Sequence, residues 1–246
     1  AIEGYTFVPD DNFEQTLIDL GYDDVLDNYV LTENISGVTE LDVSSKEIGN
    51  LTGIEDFTAL TDLSCGNNQL TALDLSNNTD LTILYFHVNQ LTALDISNNT
   101  ALTNLNCRDN QLTSLDVSNN TVLTVLQCYD NQLTGLDVSN NSALTYLYVG
   151  NNSLTNLDIS NNTSLTGLSC AGNDLVTMDL SANTELTSLS LDNNDLVTLD
   201  LSANTDLTNL YCSNNQLTSL DVSNNTDLSS FGCIGNQLTS LDVSNN

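Results

Sequence analysis

Nine aspartates recur at intervals of 21 residues, from Asp74 to Asp242, and each is followed two residues later by a serine. Clustered carboxylates and hydroxyls are the hard oxygen ligands that Ca²⁺ takes. A row built from Asp95, Asp116, Asp137 and Asp158 is therefore a calcium candidate, although no EF-hand loop or G-G-x-G-x-D pattern accompanies it. Stacked in register about 5 Å apart, such carboxylates would repel by about 3 kcal/mol per neighbouring pair at an effective dielectric near 20. Hydrogen bonds to the following serines or to turn amides are the simpler remedy. Changing Asp116, Asp137 and Asp158 to Asn keeps shape and removes three repelling charges, so stability is expected to hold or rise unless the row holds metal. Catalysis has less material. The chain has one histidine, His87, no glycine-rich phosphate loop, and no Ser, His and Asp set that the spacing brings together. General acid and base work needs carboxylates in unlike environments, whereas these are equivalent. The expectation is a protein that is not an enzyme and needs no cofactor, calcium aside.

A second set of residues varies where the aspartates repeat. From Leu60 onward the chain falls into 21-residue units without insertion or deletion, eight of them complete and the ninth two positions short. In Leu81 to Ala101, "LTILYFHVNQLTALDISNNTA", the unit divides into halves that each read L-x-x-L-x-apolar-x-x-N. Leu84 and Phe86, like Leu94 and Ile96, alternate at the period of a strand with one buried face, so the residues between them point outward. In the second half those residues are nearly constant: a small residue, Asp and Ser. In the first half they change from coil to coil, and the bulky ones gather early: Ile83, Tyr85, His87, Asn106, Arg108, Gln127, Tyr129, Tyr146 and Tyr148. Amphipathic rings beside an arginine suit stacking on sugars or anchoring a peptide. These nine positions are the expected ligand-binding face. Aromatic residues also favour exposed strands for structural reasons alone.

The elements that hold this face follow from the same period. Each coil is expected to carry two short parallel strands, and stacked coils to enclose a shared aliphatic core that one coil cannot form by itself. Asparagines recur in two registers, one running from Asn68 to Asn236 and the other from Asn78 to Asn246. An amide that both donates and accepts can join the turns of neighbouring coils. The six cysteines, Cys65, Cys107, Cys128, Cys170, Cys212 and Cys233, share one register with Phe86, Val149 and Leu191. That register reads as core, with reduced thiols acting as small hydrophobes.

L-x-x-L-x-L-x-x-N resembles the leucine-rich-repeat signature, and its doubled form is similar to the nested 21-residue class of bacterial surface and secreted proteins, notably of the Bacteroidota. "VTELDVSSKEIGNLTGIEDFTA", from Val38 to Ala59, resembles an internalin-type repeat placed ahead of the nested series. The resemblance implies a mainly β leucine-rich-repeat solenoid of about nine coils, and a secreted or surface-displayed recognition module binding protein or polysaccharide. The alternative is a rigid spacer or adhesin stalk that displays another domain.

Residues 1–36 differ in kind. Pro9, a capping pair in Asp11 and Glu14, apolar Phe13, Leu17 and Leu20, and Gly21 as a stop predict a short amphipathic helix. It would form a small helical cap over the first coil. The expected organisation is a cap over 1–36, an internalin-like repeat over 37–59 and nested repeats over 60–246. A last unit that stops short predicts a piece of a longer chain or of a larger surface assembly. Finally, 33 acidic residues against 2 basic ones give a formal charge of −31. That field disfavours nucleic acid and anionic lipid, and no apolar run is long enough to insert into a membrane.

Overall fold

The structure is a computed structural model that describes residues 2–246, so Ala1 lies outside the described residues. It forms two compact units, one ending at Asn120 and one spanning Thr121–Asn246.

The first unit opens with strand β1 (Tyr5–Phe7), helix α1 (Asp11–Asp19), strand β2 (Tyr29–Leu31) and the short helix α2 (Thr32–Ile35). The helix was legible in its apolar spacing; the antiparallel pairing of β1 with β2 was not. The cap of α1 also differs from expectation. Asp10, not Asp11, is the N-cap, and its Oδ1 accepts the amides of Asn12 and Phe13 at 3.0 Å. The residue after Pro9 is held extended, which is the conformation an N-cap requires. Its other oxygen accepts the amides of Gly49 and Asn50 at 2.8 and 2.9 Å, so one carboxylate starts the helix and ties it to the first coil. Glu14 does not cap. It is buried on the inner side of α1, where Oε1 accepts the amides of Asp27 and Tyr29. Phe13 and Leu17 are buried, and Gly21 ends the helix at φ 83°.

Strands β3 (Glu40–Asp42), β4 (Asp62–Ser64), β5 (Ile83–Tyr85) and β6 (Asn104–Asn106) form a parallel sheet in the first unit, each in register with the next. The second unit repeats the arrangement with β7 (Val125–Gln127), β8 (Tyr146–Tyr148), β9 (Gly167–Ser169), β10 (Ser188–Ser190), β11 (Asn209–Tyr211) and β12 (Ser230–Gly232). The central Leu of every strand from β4 to β11 is buried, and so is the Leu three residues before it. The cysteine register is core as expected: Cys65, Cys107, Cys170 and Cys212 are buried beside their counterparts Phe86, Val149 and Leu191, and every described cysteine is a free thiol. Burial pushes the Cys65, Cys107 and Cys170 thiols up to about 12, which leaves almost no reactive thiolate at neutral pH.

Each coil has one strand, not the two expected. The second half carries the same apolar alternation but no backbone ladder. Its outward residues are Ala, Ser, Gly, Asn or Thr, then Asp, then Ser, and the Asp present in every coil is among the residues most depleted in strands. Paired in a ladder, its aspartates would stand directly opposite one another, which destabilises a strand pair. Isolated backbone bonds at the start of the half, such as the Gln90 amide to the Leu70 carbonyl, are supplemented there by side-chain amides: Asn119 donates to the Ser97 carbonyl and Asn161 to that of Ser139.

Both asparagine registers are structural, and most of their members are buried. In the first, Asn89 Nδ2 donates to the Cys65 and Phe86 carbonyls while Oδ1 accepts the Leu70 amide, and Asn194 repeats this with Cys170, Leu191 and Leu175. In the second, Asn99 Nδ2 donates to the carbonyls of Leu75 and Asn78, and Asn183 does so to Ile159 and Asn162. There Oδ1 of Asn99 or Asn183 meets no donor from the protein.

Candidate recognition faces

In the first unit, β5 and β6 bring five of the expected residues together. Tyr85 stands opposite Asn106, Ile83 lies on the same side of β5, and His87 and Arg108 follow the strand ends. All five are half-buried. The His87 ring lies on Gly66 of the preceding coil, so closely that a Cβ there would come within 2.6 Å of it. Burial, with the charge of Arg108 adding and that of Asp109 opposing, holds the imidazole below its ordinary pKa, and buried Nδ1 finds no partner. Arg108 itself is ion-paired with Asp109.

Beside His87 stands a residue that the sequence reading passed over. The backbone after each strand turns through the left-handed region, and that position is Asn67 in one coil and Asp109 in another. In the second unit it is Asp130, Asn151, Gly172, Asn193, Asn214 or Gly235. Asn, Asp and Gly are the residues that tolerate it. In the β5 coil it is Val88, at φ 55° and 38% exposed. A β-branched side chain in this conformation costs about 1–2 kcal/mol. The signal was readable: one β-branched residue in a register otherwise filled by Asn, Asp and Gly.

The second unit gathers Gln127 on β7 opposite Tyr148 on β8, with Tyr146 on β8 and Tyr129 just past β7. The Tyr146 and Tyr148 rings stack at 6.1 Å with 21° between their planes, and Tyr146 is 43% exposed. Burial, then the neighbouring Tyr146, raises the Tyr148 phenol above its ordinary pKa. Gly167, which looks featureless in sequence, is the floor of this pair. A Cβ there would lie 2.6 Å from the Tyr146 ring and 3.6 Å from the Tyr148 hydroxyl. The Tyr146 ring thus lies across a strand glycine and shields its backbone.

The constant half behaves differently. Oδ1 of Asp95 accepts the Ser97 amide at 2.9 Å, and Asp116, Asp137 and Asp158 do the same with Ser118, Ser139 and Ser160. The hydroxyl and amide of Ser97 hold the Asp95 carboxyl below its ordinary pKa, as those of Ser139 hold Asp137. At Asp158 the Ser160 amide and hydroxyl lead in the same direction, and the charges of Asp137 and Asp179 oppose them as the smallest contributions. Local hydrogen bonding therefore outweighs the repulsion that the spacing suggested. Among the described residues, no three Asp, Glu, His or Cys side chains converge as a metal site requires.

Comparison with known proteins places this geometry. Residues 145–169 match the LVIVD repeat family. A stretch of 71 residues is 44% identical to Internalin J of Listeria monocytogenes serotype 4b (strain F2365), which is 29% of this chain and 8% of that protein. The solved functional domain of InlJ from Listeria monocytogenes, which includes a cysteine ladder, aligns at 34% identity with a TM-score of 0.68, over 98% of this chain and 64% of that one. The fold is an internalin-like leucine-rich-repeat solenoid. Internalin C2 from Listeria monocytogenes str. 4b F2365 matches the same fold at 22% identity and a TM-score of 0.63, over 98% of this chain and 99% of that one. The six cysteines of this chain share one register, and five of them are buried. Among the described residues no helix is long and apolar enough to cross a membrane.

Proposed function

We propose that this protein is a non-enzymatic recognition module, secreted or displayed at a cell surface, that binds a protein ligand through the outward face of its strands. Ile83, Tyr85, His87, Asn106 and Arg108 serve in the first unit; Gln127, Tyr129, Tyr146 and Tyr148 serve in the second. The observation that carries the reading is Val88. Strain held at an exposed position, next to the most aromatic stretch of the first unit, is what selection for contact leaves behind and what a spacer has no use for. The stacked Tyr146 and Tyr148 rings support a second reading for the second unit, a glycan whose sugar faces pack on them.

The test is a screen of the parent against an array of purified extracellular protein domains and a glycan array. Any hit is then titrated with Val88→Asn, Tyr85→Ala and Tyr146→Ala. Val88→Asn should fold more stably and bind the protein hit at least about tenfold more weakly, the loss typical of a contact residue at the centre of an interface. A hit that binds all three variants as it binds the parent would remove these faces from recognition. A screen with no hit favours the spacer.

A further inference from the structure

The cap holds a second concave site, away from the strand faces. A cavity of about 370 Å³ opens between the outer side of the β1–β2 pair and the loop that joins α1 to β2. Tyr5, Tyr22 and Tyr29 line it together with Asp23, Asp24 and Asp27. The loop is pinned from several sides. The Tyr22 amide donates to the Leu17 carbonyl, Asn34 donates to the Tyr22 carbonyl, and buried Glu14 accepts the amides of Asp27 and Tyr29. The cavity is thus formed in advance rather than assembled on binding.

Its chemistry is incomplete. Asp23 Oδ2 is sealed from solvent and meets no hydrogen-bond donor of the protein, so the carboxylates open to a ligand are those of exposed Asp24 and Asp27. Burial, reinforced by the charges of Asp24 and Asp27 and opposed by the Asp24 amide, raises the Asp23 carboxyl above its ordinary pKa. The chain has only two basic residues, Lys46 and Arg108, and neither lines the cavity. A positive charge there must come from another molecule. The three aspartates do not converge tightly enough to hold a metal ion, and three tyrosines stand around them. Rings beside carboxylates fit a flat, weakly hydrated cation that stacks on tyrosine and forks onto a carboxylate.

We propose that this cap cavity binds an arginine side chain of a basic partner protein, with the guanidinium on the exposed Asp24 and Asp27 carboxylates and the stem against the tyrosine rings.

The probe is N-acetyl-tetraarginine amide, titrated into the full chain by calorimetry at physiological salt, with the tetracitrulline peptide as its neutral isostere. Asp24→Asn combined with Asp27→Asn should weaken tetraarginine at least about tenfold, as loss of charge-assisted hydrogen bonds requires. Asp179→Asn combined with Asp200→Asn removes the same charge from the second unit and should change affinity less than about twofold, since distant exposed charges are screened. Tyr22→Ala should weaken binding several-fold and Tyr22→Phe should restore it. Because Asn keeps the shape of Asp, matching melting curves will verify that the cap is intact, and the Tyr22 pair reports without altering charge. Equal weakening by the two aspartate pairs would reduce the interaction to bulk charge and overturn the proposal. Tetracitrulline binding as tightly as tetraarginine, or no loss with Tyr22→Ala, would overturn it as well.

Discussion

The two halves of each coil carry the same nine-residue motif and fold differently. In the first half, Leu84 and its counterparts sit in strands whose amides and carbonyls pair with the adjacent coil, and the buried asparagine uses both ends of its amide. In the second half, Leu94 and Ile96 alternate in the same way, yet no ladder forms and the buried asparagine uses only its nitrogen. The apolar pattern decides which side chains face the core. It does not decide how the backbone is satisfied, because the outward residues settle that: mixed and often bulky on one side, small and acidic on the other. The half that has a ladder can vary its surface freely. The half without one keeps its Asp and Ser, because they hold its turns.

This contrast can be broken most forcefully at the asparagines. Asn194→Ala removes an acceptor for the buried Leu175 amide and the donor to three carbonyls, and should cost about 3 kcal/mol in urea unfolding. Asn183→Ala removes only donors, along with an oxygen that was already unmatched, and should cost about 1–2 kcal/mol. Equal costs would mean that the two ladders do the same work.

Next in size are the residues of the variable half. Val88→Asn should raise stability by about 1 kcal/mol by relieving the left-handed strain, read from the same unfolding midpoint. Gly167→Ala should lower it by about 1 kcal/mol, because the new methyl displaces the Tyr146 ring. In a Tyr146→Ala background the same change should be nearly neutral, so a double-mutant cycle will isolate the ring contact.

Much of this was legible before any coordinates. The 21-residue period, the core register shared by cysteines with Phe86, Val149 and Leu191, and the two asparagine files all follow from which side chains can stack. What was missed lies where information is not periodic along the chain. Gly66 and Gly167 looked plain because their meaning sits in a ring one coil away. Val88 hid behind an apolar identity, although its neighbours in register announced a left-handed turn. Tyr5, Tyr22 and Tyr29 of the cap belong to no repeat, so only the pairing of β1 with β2 brings them to one cavity. The aspartates were expected to offset their repulsion by hydrogen bonds to the following serine or to turn amides, and at Asp158 the bond to the next serine amide is the largest effect.

The smallest effects test that last point. Asp179, Asp200 and Asp221 each have a folded pKa held below the ordinary carboxylate value, through hydrogen bonds to Ser181, Ser202 and Ser223. Their stabilisation is therefore complete above about pH 4 and is lost as the pH falls through the lower folded values. Changing all three to Asn should lower the melting temperature slightly at neutral pH and flatten its fall in acid. That is the opposite of what repulsion alone would give. Chelation at fixed ionic strength should leave the melting curve where it was; a drop restored by added Ca²⁺ would return the row of Asp95, Asp116, Asp137 and Asp158 to consideration as a metal site.

The glycine floors carry a consequence for how such a surface changes over generations or in the laboratory. His87 leans back onto Gly66, and Tyr146 leans forward onto Gly167. A large ring on this sheet therefore occupies two coils, its own and the one that yields space. Copying a single 21-residue unit into another array would move the ring without its seat, and the ring would meet a methyl or larger group where hydrogen had been. The transferable unit is a pair of adjacent coils, and substitutions that look independent along the chain must arrive together.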